Sequence, residues 1–319
     1  MSLKKLIKKF DITAECRKYG LGFWQCPNSL FLVMGAVIIV AMSVTYLVSI
    51  NFLEPELVIA IVSGVTILLL IIGHSLVDSF SRVAEANRMK SEFVSIVSHQ
   101  LRTPLSALKW SLELLRSKRL GEFNKKQGEY LDIIHDSSIR MTGLVNDLLN
   151  VNRIEQGRMA VQSKAFSIEE LIQDVLKGLI VLAQAHNVKV SFKNNNLPNV
   201  YADPEKIEMV VQNLIDNAIK YSKKQGGEII ITAEKDIQDP RMIKVTVKDN
   251  GIGIPNIIQK QIFNKFFRGD NLVKQKVEGT GLGLFIAKGI IKITKGKIDF
   301  NSQEGEGTTF WFTIPIAKN

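Results

Sequence analysis

The chain has 319 residues, with 41 Lys and Arg against 31 Asp and Glu for a formal net charge of +10, and 46% hydrophobic residues beside 23% charged ones. That balance excludes a disordered or collagen-like polymer. Two cysteines, Cys16 and Cys26, with no histidine at ligand spacing, exclude a disulfide framework or a zinc site as the organiser.

Residues 1–29 form a basic segment in which Leu3, Leu6, Ile7 and Phe10 recur at helical spacing among Lys4, Lys5, Lys8 and Lys9. This is the pattern of an amphipathic helix lying on an anionic leaflet, with Trp24 at the interface. The region 30–77 follows, holding two uncharged runs, Leu30 to Ile50 and Leu57 to Val77. Each is long enough to cross about 30 Å of hydrocarbon as a helix. The length of the first run and its distance from the N-terminus exclude a cleaved signal peptide. Only Asn51 to Glu56 separates the runs, so the pair reads as a transmembrane hairpin with a minimal turn broken by Pro55. Lys4, Lys5, Lys8, Lys9, Arg17 and Lys18 precede the hairpin and Arg82, Arg88 and Lys90 follow it, whereas its turn carries Glu54 and Glu56. The asymmetry puts both termini in the cytoplasm and the chain in the inner membrane as a multi-pass protein. The basic excess is then membrane apposition, not a nucleic-acid footprint. His74, near the cytoplasmic end of the second run, reads as an imidazole reaching the headgroups.

The region 78–160 is helical. Leu76, Phe80, Val83, Asn87, Lys90, Val94, Val97 and Leu101 fall on alternating three- and four-residue steps, a seam that predicts a parallel homodimer with Asn87 and Lys90 fixing register. Phe93 to Leu105 reads FVSIVSHQLRTPL, and Pro104 predicts a kink just after His99. A second helical pattern runs from Lys125 to about Ile154 through Leu131, Ile134, Leu144, Val145 and Leu148. The two helices make an antiparallel hairpin, and two hairpins a dimeric four-helix bundle. His135 is a surface or packing residue of that bundle. SHQLRTPL resembles the H-box of sensor histidine kinases, which implies that His99 is a phosphoacceptor.

In the region 161–319, Ser167 and Glu170 make a capping box for a helix to about His186. Strands at Val188–Phe192 and Val200–Ala202 precede Asp203-Pro204, an N-cap with proline at the first helical position. On the helix that follows, Asn213 and Asn217 share a face and Lys220 lies a turn further. Two amides and an ammonium at one spot suit Mg²⁺ held against phosphates. Two strands lead into Asp249-Asn250-Gly251-Ile252-Gly253, then IFNKFFRGD ends a short helix, and EGTGLGLFIAKGII runs from Gly279, Gly281 and Gly283 into another. Glycines there let the backbone approach an anion at a helix N-terminus, although no GxxxxGK[ST] motif is present.

Together these segments resemble the N, G1, F and G2 boxes of the GHKL nucleotide-binding family, in the order found in histidine kinases. The resemblance implies a C-terminal α/β sandwich ATP-binding domain of the Bergerat type. By it, Asp249 accepts from the adenine amine, Asn217 with Asn213 holds Mg²⁺, Lys220 and Arg268 contact phosphates, and Tyr221 lies near the purine. Gly251 and Gly253 shape the base pocket, and Gly279-Thr280-Gly281-Leu282-Gly283 anchors a lid over the triphosphate. Thr308 or Thr309 assists adenine through water or packs in the core.

The implied activity is autophosphorylation of His99 from Mg-ATP and transfer to an aspartate of a cognate response regulator. Gln100 stands where the family usually has Glu or Asp and cannot act as a general base, which predicts slow autophosphorylation. Thr103 occupies the position that in such kinases orients water for dephosphorylating the partner, or is a surface threonine beside the kink. With no extracytoplasmic domain, the hairpin is expected to sense a membrane partner, a membrane-inserted ligand or the bilayer. A kinase-weak scaffold or response-regulator phosphatase is the other reading of Gln100. A topoisomerase-like GHKL ATPase is disfavoured by the SHQLRTPL helix, and a nucleic-acid binder by the absence of a reading motif.

Overall fold

The structure, a computed structural model, describes residues 27–51, 54–117, 121, 123–193, 197–223, 225–268 and 279–317. Residues 1–26, with both cysteines and Trp24, and the stretch 269–278 lie outside these residues. The chain divides into two compact units: one runs to Thr103 and includes Glu155–Arg158, and the other comprises Pro104–Ile154 and the residues from Met159 onward.

In the first unit, helix α1 spans Pro27–Ser49 and helix α2 begins at Pro55, continuing into the second unit as far as Arg116. Leu32–Ser49 and Pro55–Val83 are long and apolar enough to cross a membrane, with mean hydropathies of 2.3 and 2.6. Their apolar side chains point outward: Ile39, Leu47, Ile59 and Ile71 are each more than 60% exposed. So extensive an uncovered apolar surface needs lipid or another helix against it. Three hydroxyls of these spans bond back to their own helices, Ser43 Oγ to the Ile39 carbonyl, Thr45 to Ala41 and Thr66 to Val62. That is how a hydroxyl is satisfied where no water reaches. Helix α2 continues through Pro104; losing one backbone donor there does not end the helix. On the expected seam, Leu76, Phe80, Val83 and Leu101 are exposed.

In the second unit, helix α3 spans Lys125–Glu155. Asn124 and Gln127 start it by exchanging backbone N–H for side-chain carbonyl bonds, both 2.9 Å, a reciprocal cap. An ion pair of 3.2 Å joins Arg116 at the end of α2 to Asp132 on α3.

The remainder is an α/β layer. Strands β1 (Lys164–Phe166), β2 (Val188–Lys193), β3 (Val200–Ala202), β4 (Gly227–Lys235), β5 (Met242–Asp249), β6 (Ile298–Gln303) and β7 (Gly307–Pro315) are interleaved with helices α4 (Ile168–Ala185), α5 (Pro204–Lys220), α6 (Asn256–Gln259) and α7 (Gly283–Ile293). Five strands form one sheet in the order β2-β4-β5-β7-β6, parallel only between β2 and β4, while β1 and β3 pair separately. Side chains alternate along the strands, so Ile229, Ile231 and Ala233, Ile243, Val245 and Val247, and Phe310, Phe312 and Ile314 are buried together. Against that face α5 lays Ile207, Val210, Val211, Leu214, Ile215 and Ala218, a helical stripe of three- and four-residue steps. The expected caps are present: Ser167 Oγ accepts from Glu170 N–H, and Asp203 from Lys206 N–H with Pro204 next to it.

One element differs from expectation. The helix before Arg268 ends at Gln259, and IFNKFF runs instead through successive turns in which Gln261, Asn264 and Phe267 donate to carbonyls three residues back. Phe266 at φ 58 takes the left-handed conformation, which no helix can continue through.

Candidate functional site

A cavity opens in the second unit between α5, the β5 end, the turns after α6, and the start of α7. Its floor is set by Asp249, a residue only 8% exposed. Asp249 Oδ1 accepts from Gly251 N–H at 2.8 Å and from Thr308 N–H at 3.1 Å, and no other hydrogen bond engages the carboxylate among the described residues. Oδ2 is therefore the acceptor left for a ligand N–H. Burial pushes the carboxyl above its ordinary range, and the two backbone donors oppose this.

The glycines around Asp249 are required by close approach. A Cβ at Gly251 would meet the Tyr221 carbonyl, and one at Gly253, which sits at φ +67, would meet the Gln303 carbonyl. The Tyr221 carbonyl also accepts from Ile252 N–H at 3.1 Å, tying the loop to the end of α5. Apolar walls come from Ile252, Ile254, Ile258, Ile262 and Phe310. Apolar walls beside a buried carboxylate acceptor suit a purine carrying an exocyclic amine.

The polar half of the cavity is formed by α5 and the glycine turn. Asn213, Asp216, Asn217, Lys220 and Tyr221 line it from α5. Lys220 Nζ is ion-paired with Asp216 Oδ2 at 2.6 Å. Across from them, Gly283 starts α7 so close to Asn213 that a Cβ there would lie 2.7 Å from its Oδ1. Gly279, Thr280 and Gly281 complete the wall, and Arg268 stands at its edge. Thr280 Oγ1 accepts from Leu282 N–H at 3.1 Å and pairs with Asp147 Oδ2 at 3.2 Å. A helix start with an ammonium opposite favours phosphates.

The donor set fits Mg²⁺. Asn213 and Asn217 are half-buried on the cavity side, and no hydrogen bond engages either side-chain amide among the described residues. Two neutral oxygens that leave room for phosphate and water suit that ion. Among the described residues no cluster of three His, Cys, Asp or Glu forms a metal site.

Most of the predicted nucleotide residues thus converge. Leu282 does not line the cavity: it is 1% exposed in the core and contributes only its backbone N–H. Gly251 acts from behind Asp249. Thr308 lines the cavity and Thr309 does not; Thr308 Oγ1 bonds Ser302 Oγ at 2.9 Å. His99, Gln100 and Thr103 lie on α2 in the first unit, with His99 and Gln100 exposed beside buried Ser98. Sequence reading missed Asp147 and Asp216. Asp216 was visible as the i−4 partner of Lys220; Asp147 gave no local signal, since only tertiary folding brings α3 to the cavity.

Two family models match the chain: the His Kinase A (phospho-acceptor) domain over residues 89–157, and the histidine kinase-, DNA gyrase B- and HSP90-like ATPase over residues 202–318. The sensor histidine kinase GacS of Pseudomonas protegens is 33% identical over 238 residues, which is 73% of this chain and 25% of that protein. The circadian input-output histidine kinase CikA of Synechococcus elongatus is 34% identical over 246 residues, 76% of this chain and 32% of the relative. The signal transduction histidine-protein kinase BarA of Escherichia coli is 31% identical, covering 75% and 26% respectively. The chain therefore spans about a quarter to a third of the length of these relatives. Among solved structures, full-length ShkA in complex with AMPPNP superposes with a TM-score of 0.61 at 25% identity, over 72% of this chain and 46% of that one.

Proposed function

The chain belongs to the sensor histidine kinases of two-component systems, and we propose that it phosphorylates His99 from ATP and passes the phosphoryl group to an aspartate of a separate response regulator. The observation that carries this reading is the convergence of Asp249, Asn213, Asn217, Lys220 and the Gly279–Gly283 turn on one cavity, in a chain whose α2 presents an exposed His99. The proposed organisation is a membrane-surface segment to residue 29, a transmembrane hairpin over 30–77, a signalling and phosphotransfer region over 78–160 and an ATP-binding domain from 161. Both termini are cytoplasmic in this reading, and the dimer forms through the bundle.

In this mechanism Asp249 Oδ2 accepts from the adenine amine, with Thr308 holding the carboxylate and Tyr221 beside the base. Lys220, Arg268 and the amides of the glycine turn hold the phosphates, and Asn217 with Asn213 would hold Mg²⁺, which when bound would neutralise phosphate charge. The lone-pair nitrogen of neutral His99 attacks the γ-phosphorus, an N–P bond forms, and the bond to the β,γ-bridging oxygen breaks, releasing ADP. The imidazolium then loses its other N–H proton. Gln100 can accept that hydrogen bond but cannot take the proton, so it leaves to water. Positioning and charge neutralisation supply most of the acceleration.

Gln100 favours a second reading: a membrane-anchored, kinase-weak scaffold or response-regulator phosphatase, with Thr103 orienting water. A chase distinguishes them. Chain labelled from Mg-[γ-³²P]ATP is mixed with response regulators of the same cell. Transfer of the label to one of them supports the first reading. A chain that acquires no label yet dephosphorylates a regulator supports the second.

A further inference from the structure

Asp147 lines the cavity without a part in the proposed phosphoryl transfer. It comes from α3, 66 residues before Asn213, and places a carboxylate among groups suited to phosphates. Its Oδ2 accepts from the Thr280 hydroxyl at 3.2 Å, at the root of the glycine turn. Burial pushes the Asp147 carboxyl above its ordinary range, against the Thr280 bond and the charge of Lys220. Lys220 itself is already paired with Asp216.

The contact is one of two along the same helix face. Ile154 lies seven residues, or two turns, beyond Asp147 and therefore on the same side of α3. It packs onto Gly289 of α7 so closely that a Cβ there would lie 2.7 Å from both Ile154 Cδ1 and Cγ2. Val151, between them, is buried in the core at 4% exposure. Helix α3 is thus seated along the glycine turn and the helix it starts, with Asp147 lining the cavity.

We infer that the seating of α3 through Asp147 and the binding of a nucleoside triphosphate compete, so that Asp147 lowers affinity according to the phosphate charge of the nucleotide. The inference rests on the reading of this cavity as the ATP site. A triphosphate brought to Lys220 and Thr280 meets the Asp147 carboxylate, a like charge competing for the same donors. By reciprocity, what weakens triphosphate binding when α3 is seated also unseats α3 when the triphosphate binds. Nucleotide occupancy and the seating of α3 are then two sides of one equilibrium.

The test is equilibrium binding of Mg-AMPPNP, Mg-ADP and adenosine to the full chain in nanodiscs, for wild type, Asp147→Asn and Ile154→Ala. Asp147→Asn is expected to tighten Mg-AMPPNP by about 5- to 20-fold, ADP less, and adenosine not at all. Ile154→Ala, which loosens the seating without touching the cavity, is expected to act in the same direction. Asp147→Asn binding Mg-AMPPNP no tighter than wild type, or all three ligands changing by the same factor, overturns the inference while leaving the ATP site standing. A wild type that binds none of the three overturns the site reading and the inference with it.

Discussion

Asp249 and Thr308, 59 residues apart in sequence, are joined by a hydrogen bond of 3.1 Å from the Thr308 backbone N–H to Asp249 Oδ1. With Gly251 N–H on the same oxygen at 2.8 Å, the bond fixes the carboxylate plane and aims Oδ2 into the cavity. Two strand ends, β5 and β7, are thereby committed to holding one acceptor.

Asp249→Asn is expected to separate binding from stability. The amide oxygen can keep both backbone donors, but an NH₂ group then faces the adenine amine, and ATP affinity should fall by about 10- to 100-fold. Stability should move the other way. The folded-state pKa of Asp249 is raised, so wild type loses stability as pH rises from the unfolded carboxyl pKa through the folded one. The variant escapes that loss. Thermal melts should show Asp249→Asn at least as stable as wild type at pH 7, with its advantage vanishing at acid pH where the carboxyl is protonated in both states.

Two glycines should respond oppositely to alanine. Gly253 sits at φ +67 with a carbonyl where the Cβ would go, so Gly253→Ala should cost about 1–2 kcal/mol for the left-handed backbone and more for the collision. Gly128 lies in helix α3 with nothing within 4 Å of an added Cβ, and Gly128→Ala should stabilise by up to about 1 kcal/mol. Paired melting curves check both signs.

Gln100→Glu should accelerate autophosphorylation. A positioned base contributes about 10²- to 10⁴-fold, and the glutamate would also stabilise the imidazolium formed on attack. An initial-rate comparison at saturating Mg-ATP measures it; a wild type faster than the variant would show that the residue after His99 is not limiting.

The hairpin spans carry the expected route for input. Replacing both with an unrelated transmembrane hairpin, with α2 continuing in the same helical phase, should keep basal autophosphorylation and abolish its response to membrane composition or partners. Unchanged regulation after the swap would place the sensor elsewhere.

Much of this was legible in the chain because the signals are local. Ser167 and Asp203 announce their helices through the residue three positions on, and the alternation in MIKVTVKD states which face of β5 is buried. Asn213 and Asn217 share a face by helical geometry alone. What the sequence hid depends on contacts between distant segments: Thr308 rather than Thr309 reaching the cavity, Leu282 turning into the core, and Asp147 arriving from α3. The misplaced helix end has a different cause. IFNKFF has the apolar spacing of a helix, and only the positive φ at Phe266 reveals a run of turns.

The most direct test of the account is phosphate transfer from radiolabelled Mg-ATP to the purified chain, comparing wild type, His99→Ala and Asn217→Ala. The expected result is an acid-labile, base-stable label on wild type that is absent from both variants, with ADP still bound by His99→Ala. A label retained by His99→Ala, or a wild type that binds ATP and acquires no label, would contradict it.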